Sequence, residues 1–459
     1  MEKEQVRLSE NKMGVVPVNK LLVSMAWPMI LSMLVQAMYN VVDSIFVSRL
    51  SENALTAVSL AFPIQIILIA MGTGAGVGMN AILSRALGEK DQKTVNRVAE
   101  TGVFLALASF VVFLLVGIFF SCPFFLSQTD DMEIVEYGTQ YISICCIFSF
   151  GIYFELVFER MLQSTGKTIF SMFSQLIGAL TNIVLDPILI FGLLGAPKMG
   201  VAGAAAATVA GQILAAIVAF VLNHKFNRDV RISLRGIFRP KLDFIVNIYK
   251  VGLPSIVMQS IGSVTNYGMN LILIGFTPTA TAVFGVYYKI QSIFFMPVMG
   301  LNNAMVPIIA FNYGAGKRSR ITKTIKLGII YGIIMMFIGL AIFQIFPDAL
   351  LLMFDASENM LSIGRVALRI ASLSYVFAGF CIVCGAVFQS LGNGVYSLIV
   401  SFLRQIVVLL PAAYLLSLTG ELAAVWWAIP IAELMSVAVT TIMLIRINRK
   451  IISKVPDNV

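Results

Sequence analysis

Four polar residues in an otherwise apolar stretch, Ser32, Gln36, Asn40 and Asp43, follow one another at steps of four, four and three. On a helix these steps put all four on one face. A second carboxylate inside an apolar run, Asp186, stands one turn after Asn182 and just before Pro187, which frees backbone carbonyls close to the acid. A charged carboxylate at the centre of a bilayer costs at least ~2.5–3.5 kcal/mol, so a chain that keeps two is expected to use them. Asn or Ser would tie helices together at lower cost. Two acids sharing a poorly hydrated pocket suit proton pickup, because desolvation and like charge both oppose double ionisation. The same carboxylate, amide and hydroxyl oxygens would also suit Na+, a hard cation, with Asp43, Asn182 and Asp186 as its ligands. The residues leave H+ and Na+ both open as the coupling ion and call for no other cofactor.

Gln259, Ser263, Asn266 and Asn270 form a similar stripe in the second half of the chain, and Lys289 lies mid-run in the next apolar segment. Gln259, Asn266, Asn270 and Lys289 are therefore candidates to line a cavity. Glu159-Arg160 falls near the end of an apolar run, where snorkelling and surface pairing would account for it; Glu155 lies one turn deeper. The run Gly72-x-Gly74-x-Gly76-x-Gly78 lacks the Gly-Lys-Ser/Thr ending of a phosphate loop and reads as close helix packing. Cys381-x2-Cys384 has no second pair or His cluster beside it, and the lone His224 marks a helix end. Without a nucleotide-binding signature or a nucleophile–base pair the chain is not expected to be an enzyme, and energy would come from an ion gradient.

The elements that must hold these residues follow from composition. Hydrophobic residues are 59% of 459 positions and charged ones 12%, too little polar surface for a protein dissolved in water. About 20 apolar residues span a bilayer as a helix. Twelve such runs occur, near 22–48, 54–83, 99–125, 138–158, 168–194, 201–222, 245–275, 281–311, 325–350, 366–388, 396–418 and 423–445. They are continuous rather than alternating, which excludes a membrane barrel. The fold class expected is all-α polytopic, and the first run, with Asp43 inside it, is too long for a cleavable signal. The net charge of +9 reflects orientation rather than nucleic acid as a partner. With both termini cytoplasmic, all but six of the 32 Lys and Arg fall in tails and cytoplasmic loops, the exceptions being Arg49, Lys198, Lys289, Arg365, Arg369 and Arg404.

Displaced by 226 positions, the chain matches itself without a gap. Pro28 meets Pro254, Asn40 meets Asn266, Ile64-Gln65 meet Ile290-Gln291, Gly74 meets Gly300, and Gln163-Ser164-x-Gly166 meets Gln389-Ser390-x-Gly392. Two six-helix copies, even in number, enter from the same side as parallel repeats, with a substrate site expected between them. The expected organisation is a tail at 1–20, a first lobe at 21–223, a basic linker at 224–243, a second lobe at 244–447 and a tail at 448–459. At this displacement Asp43 faces Met269 and Asp186 falls within Leu409–Ala413, so both acids are missing from the second copy and coupling should lie in the first lobe.

Several motifs together carry a family resemblance: Pro28 with Gln36–Asp43, Gly76–Gly88 ending in Ser84-Arg85-x2-Gly88, Gln163-Ser164-x-Gly166, Asn182–Pro187, Gly200–Ala205 and Pro307–Gly314. In this order the chain resembles the multidrug and toxic compound extrusion (MATE) transporters of the bacterial MepA-like and DinF-type branch. The resemblance implies a bacterial plasma-membrane antiporter that exports small, often cationic or amphipathic, organic molecules against protons or sodium, acting as a monomer in the lipid bilayer. It implies a cation site at Asp43, Asn182, Asp186 and Thr208, with Tyr141 beside it and Pro28 as the bending point of the first helix. Essential acids that some relatives carry on helices 7 and 10 have no counterpart here. The rival expectation is a flippase for lipid-linked sugar precursors, whose cavity would need several Arg or Lys. A channel would want like residues ringed around a symmetric pore.

Overall fold

The computed structural model describes residues 11–457 other than Asp355, and their side chains other than those of Asn40, Val41, Ser44 and Ser48. Among these residues ten helices are long and apolar enough to cross a membrane, and two bent helix pairs bring the spans to twelve. In the first lobe they are α1 (Val18–Ser48), α2 (Glu52–Gly88), α3 (Gln92–Phe119), α4 (Met132–Ile147 and Phe150–Ser164), α5 (Thr168–Phe191) and α6 (Val201–Phe226). In the second they are α7 (Leu242–Ile274), α8 (Pro278–Gly314), α9 (Arg318–Ile345), α10 (Glu358–Ser372 and Tyr375–Ser390), α11 (Gly394–Ser417) and α12 (Ala428–Lys450). No strand occurs among the described residues; only a bridge pairs Lys317 with Asp457.

The repeat governs local structure as well as helix count. Ser51 opens α2 by accepting Ala54 N at 3.0 Å, and Thr277, at the matching position, opens α8 by accepting Ala280 N at 3.2 Å. Asp131 and Ser357 cap α4 and α10 in the same paired way, on Glu133 N and Met360 N. Each cap satisfies an amide that the first helical turn leaves without a partner.

The sequence suggests α4 and α10 as single helices at 138–158 and 366–388, but both are longer and broken, by 45° and 47°. Neither break contains proline. At each one the ladder tightens to three-residue spacing, with Ser149 N on Cys146 O and Ser374 N on Ala371 O, both at 3.2 Å. Tightened turns of this kind redirect a helix axis. Ser149 and Ser374 are buried, and Ser374 Oγ also bonds Ala371 O at 2.6 Å. The third irregularity belongs to one lobe only: α11 passes through a π-turn over Leu403–Leu409.

The lobes meet through reciprocal contacts, which is what a two-fold relation between parallel repeats produces. Gly88 lies against the backbone of Phe311 and Ala315 in the other lobe, and Gly314 lies against Arg85 and Glu89. Gly74 lies against Ile256, and Gly300 against Ile30. Each second contact is the first one carried over by the repeat displacement. Any Cβ at Gly88 would overlap backbone, so glycine sets how closely the lobes approach there. The segment before α1 straps the same end of the molecule. Asn312 Nδ2 and Arg320 Nη2 both donate to Met13 O at 3.0 Å, while Asn11 Nδ2 reaches across to Thr165 O at 3.2 Å.

Farther along the same helices a Cβ at Gly262 on α7 or Gly285 on α8 would meet nothing within 4 Å, so neither glycine sits in a packed contact. The tightest contacts between the lobes gather at the end bearing both termini. Gly88→Ala should lower the melting temperature in detergent, since overpacking a tight seam costs ~1–3 kcal/mol, whereas Gly262→Ala should leave it unchanged. Equal melting temperatures for the two variants would contradict a tight packed contact at Gly88.

Candidate functional site

Three adjoining chambers lie between and within the lobes, of about 370 Å³ in the first lobe, 310 Å³ in the second and 320 Å³ at the seam. Thr73, Arg160, Met299 and Asn303 line both the first-lobe and seam chambers. Met299 and Arg404 line both the seam and second-lobe chambers, so each chamber adjoins the next.

The first-lobe chamber brings together α1, α5 and α6. Asn182 and Asp186 share a face of α5 and are 3% and 0% exposed. Pro187 has no N–H to give the Ile183 carbonyl, which leaves an extra acceptor beside the acid. The Asn182 amide is best satisfied with its nitrogen donating to Asp186 Oδ2 at 3.3 Å and its oxygen accepting from Thr208 Oγ1 at 3.2 Å. Asp43 approaches Asp186 carboxyl to carboxyl within hydrogen-bond range, although they lie on different helices. Asp43 Oδ1 is buried with no donor among the described residues. The sequence-derived set Asp43, Asn182, Asp186 and Thr208 is thus one cluster.

The supporting residues are placed less uniformly. Gln36 and Ser32 line the first-lobe chamber with Asn182 and Thr208. Tyr141 is 3% exposed and accepts Gln65 Nε2 at 2.9 Å. The Asn40 side chain lies outside the described residues. Pro28 sits in an uninterrupted α1, its carbonyl accepting Ser32 Oγ at 2.9 Å. In the second lobe Gln259 lines the seam chamber and Asn266 the second-lobe chamber. Asn270 lines neither chamber and bonds its own helix neighbour, donating to Asn266 Oδ1 at 3.4 Å.

Two sequence expectations are corrected. Lys289, expected in the cavity, is exposed and lines none of the three chambers, although its neighbours Tyr287 and Tyr288 line the second-lobe one. Glu159-Arg160, expected at the surface, is 4% and 8% exposed. Glu159 accepts Gln175 Nε2 at 2.8 Å, and Arg160 Nη1 bonds Gln163 at 2.9 Å and, across the seam, Asn303 at 3.1 Å. Packing of α2 against α4 encloses the pair: Gly76 leaves room for the Arg160 stem.

Sequence reasoning also missed an acid. Glu433 on α12 is 6% exposed and pairs with Arg404 at 3.4 Å in the second-lobe chamber, so buried acids are not confined to the first lobe. Its position within an apolar run was the available signal, the same one that marks Asp43.

Twelve spans in two repeated lobes, with a largely apolar cavity carrying a few charged and amide groups between them, are the architecture of a membrane transporter with parallel repeats. The chain belongs to the MatE family, whose profile matches it twice, over residues 28–188 and 254–415. It is similar to the multidrug export protein MepA of Staphylococcus aureus, at 26% identity over 91% of each chain, and to that of Staphylococcus haemolyticus, at 25% over 90%. Among solved structures it resembles MATE in the straight conformation, with 27% identity, TM-score 0.91 and coverage of 97% and 99%. An outward-facing multidrug resistance MATE transporter gives 0.89 at the same identity and coverage. A transporter of the same superfamily from Pyrococcus furiosus gives 0.85 at 27% identity, covering 96% and 99%.

Leaving a buried polar group without its partner costs about 1–3 kcal/mol. Arg160→Leu should therefore lower the melting temperature in detergent, because Gln163 and, across the seam, Asn303 lose their donor. An unchanged melting temperature would show that these contacts do not stabilise the fold.

Proposed function

We propose that the protein is a secondary multidrug exporter of the bacterial plasma membrane, exchanging small organic molecules for protons through Asp43 and Asp186. The single observation that carries the coupling assignment is the carboxyl-to-carboxyl contact of Asp43 with Asp186, beside Asn182 and Thr208. Two ionised carboxylates cannot share a hydrogen bond, whereas one proton between them makes the contact favourable. The bare Asp43 Oδ1 is the acceptor that such a proton, or a Na+ held by the same oxygens, would satisfy. MepA relatives that bear the name multidrug export protein support the cargo class.

In this reading both termini are cytoplasmic, in line with the basic end that bears them. Protonation changes which partners Asp43 on α1 can keep on α5, and Pro28, which weakens the α1 ladder, is where that helix bends. The chain works as a monomer, its cavity being complete within one chain. A flippase for lipid-linked sugars is disfavoured, because the cavity cations Arg160 and Arg404 each lie beside a carboxylate and leave little net positive charge for a pyrophosphate.

Ethidium efflux from proteoliposomes, with proton and sodium gradients imposed separately, tests the proposal. A proton gradient alone should drive efflux, and Asp43→Asn and Asp186→Asn should each abolish it while inserting normally. Efflux driven only by sodium would reassign the ion, and normal efflux by both variants would overturn the mechanism.

A further inference from the structure

The second-lobe chamber holds a charged group that proton exchange through the first lobe does not use. Arg404 Nη1 lies 3.5 and 3.4 Å from the two Glu433 oxygens, and these are the only hydrogen bonds of the guanidinium among the described residues. A guanidinium has five N–H donors in a planar fork, so the edge formed by Nε and Nη2 makes no hydrogen bond among the described residues. The Glu433 side chain is 7% exposed and that of Arg404 27%. The carboxylate is thus set into the wall and the guanidinium stands in front of it, in both the second-lobe and seam chambers.

The repeat shows how the lobe makes room for this side chain. At the common displacement Arg404 stands where the first lobe has Gly178, which packs against the Gly211 carbonyl and closes α5 onto α6. In the second lobe a long side chain replaces that glycine, and α11 runs through its π-turn at Leu403–Leu409. Around the guanidinium the wall is aromatic and thioether: Phe284, Tyr287, Tyr288, Phe295, Met269 and Met296. A charged fork with one free edge, facing rings across a cavity of about 310 Å³, matches a flat molecule that carries a planar anion.

We propose that the second-lobe chamber is a binding site for aromatic carboxylates, including zwitterions, with Arg404 as the specificity-determining residue. The ligand carboxylate takes the Nε and Nη2 edge, its ring lies against Tyr288 and Phe295, and Glu433 holds the guanidinium from behind. Where the ligand also carries an amine, the first-lobe acids face it across the seam. This deepens the export reading by naming a substrate class, but binding itself can be measured without transport.

Fluorescence titration of the purified full chain in detergent with dansylglycine, and with its neutral amide dansylglycinamide, tests the assignment. The wild type should bind the acid more tightly than the amide. Arg404→Gln should weaken the acid about tenfold or more while leaving the amide unchanged, which also reports that the variant is folded. Arg404→Lys, with charge but no fork, should fall between. Glu433→Gln should tighten the acid severalfold, since the ligand no longer competes with a fixed carboxylate. Equal wild-type affinity for the two probes, equal losses of both in Arg404→Gln, or weakening of both in Glu433→Gln would each overturn the proposal, the last by making the pair a structural brace. Ethidium efflux run alongside separates the two readings: a wild type that binds dansylglycine selectively but moves no ethidium would sink the export reading alone.

Discussion

Charged and polar side chains inside the lobes cannot be satisfied by water or lipid, so each must be met by another protein group, and that requirement organises the interior. Asp186 is met by Asn182, which is held in turn by Thr208. Glu159 is met by Gln175 and Ser174, and Arg160 by Gln163 and Asn303. Glu433 is met by Arg404. Asp43 Oδ1 is one of several buried polar atoms without a partner among the described residues, and the carboxylate oxygen among them.

The same requirement makes the lobes unequal although the repeat makes them alike. Their frames agree down to N-caps, helix breaks and seam glycines. The cavity linings differ. The first-lobe chamber is lined by two acids from α4, Glu155 and Glu159, whereas the second-lobe chamber has one acid from α12, Glu433, faced by Arg404 from α11. Duplication supplied a symmetric container, and substitution at a few inward positions gave its two halves different sets of charged groups. The first- and second-lobe chambers share Met296 and Met299 in their walls, so they lie next to each other.

At the end bearing both termini the lobes are held most closely. Glycine at Gly88 and Gly314 lets backbones touch, the Arg85 guanidinium stacks 4.7 Å over Tyr313 of the other lobe, and the strap at Met13 is bonded from α8 and α9. These contacts combine close backbone packing with a few side-chain bonds.

Twelve spans, the parallel repeat and the first-lobe cluster were legible in the sequence because each depends on local periodicity. A bilayer fixes helix length, an even number of spans fixes the relation of the copies, and polar residues three or four apart share a face. Asn182 and Asp186 could be paired from spacing alone; Thr208 entered by family resemblance. Tertiary structure decided whatever depends on the direction a helix faces or on partners distant in sequence. Arg404 and Glu433 are 29 residues apart on separate helices, so no spacing rule joins them. Lys289 looked like a cavity residue by position, yet its side chain is exposed and lines none of the chambers. Glu159 and Arg160 looked superficial by their place near a helix end, yet α2 and the second lobe close over them. Sequence periodicity states which residues lie together on one helix; only the packing of the other helices decides what that face meets.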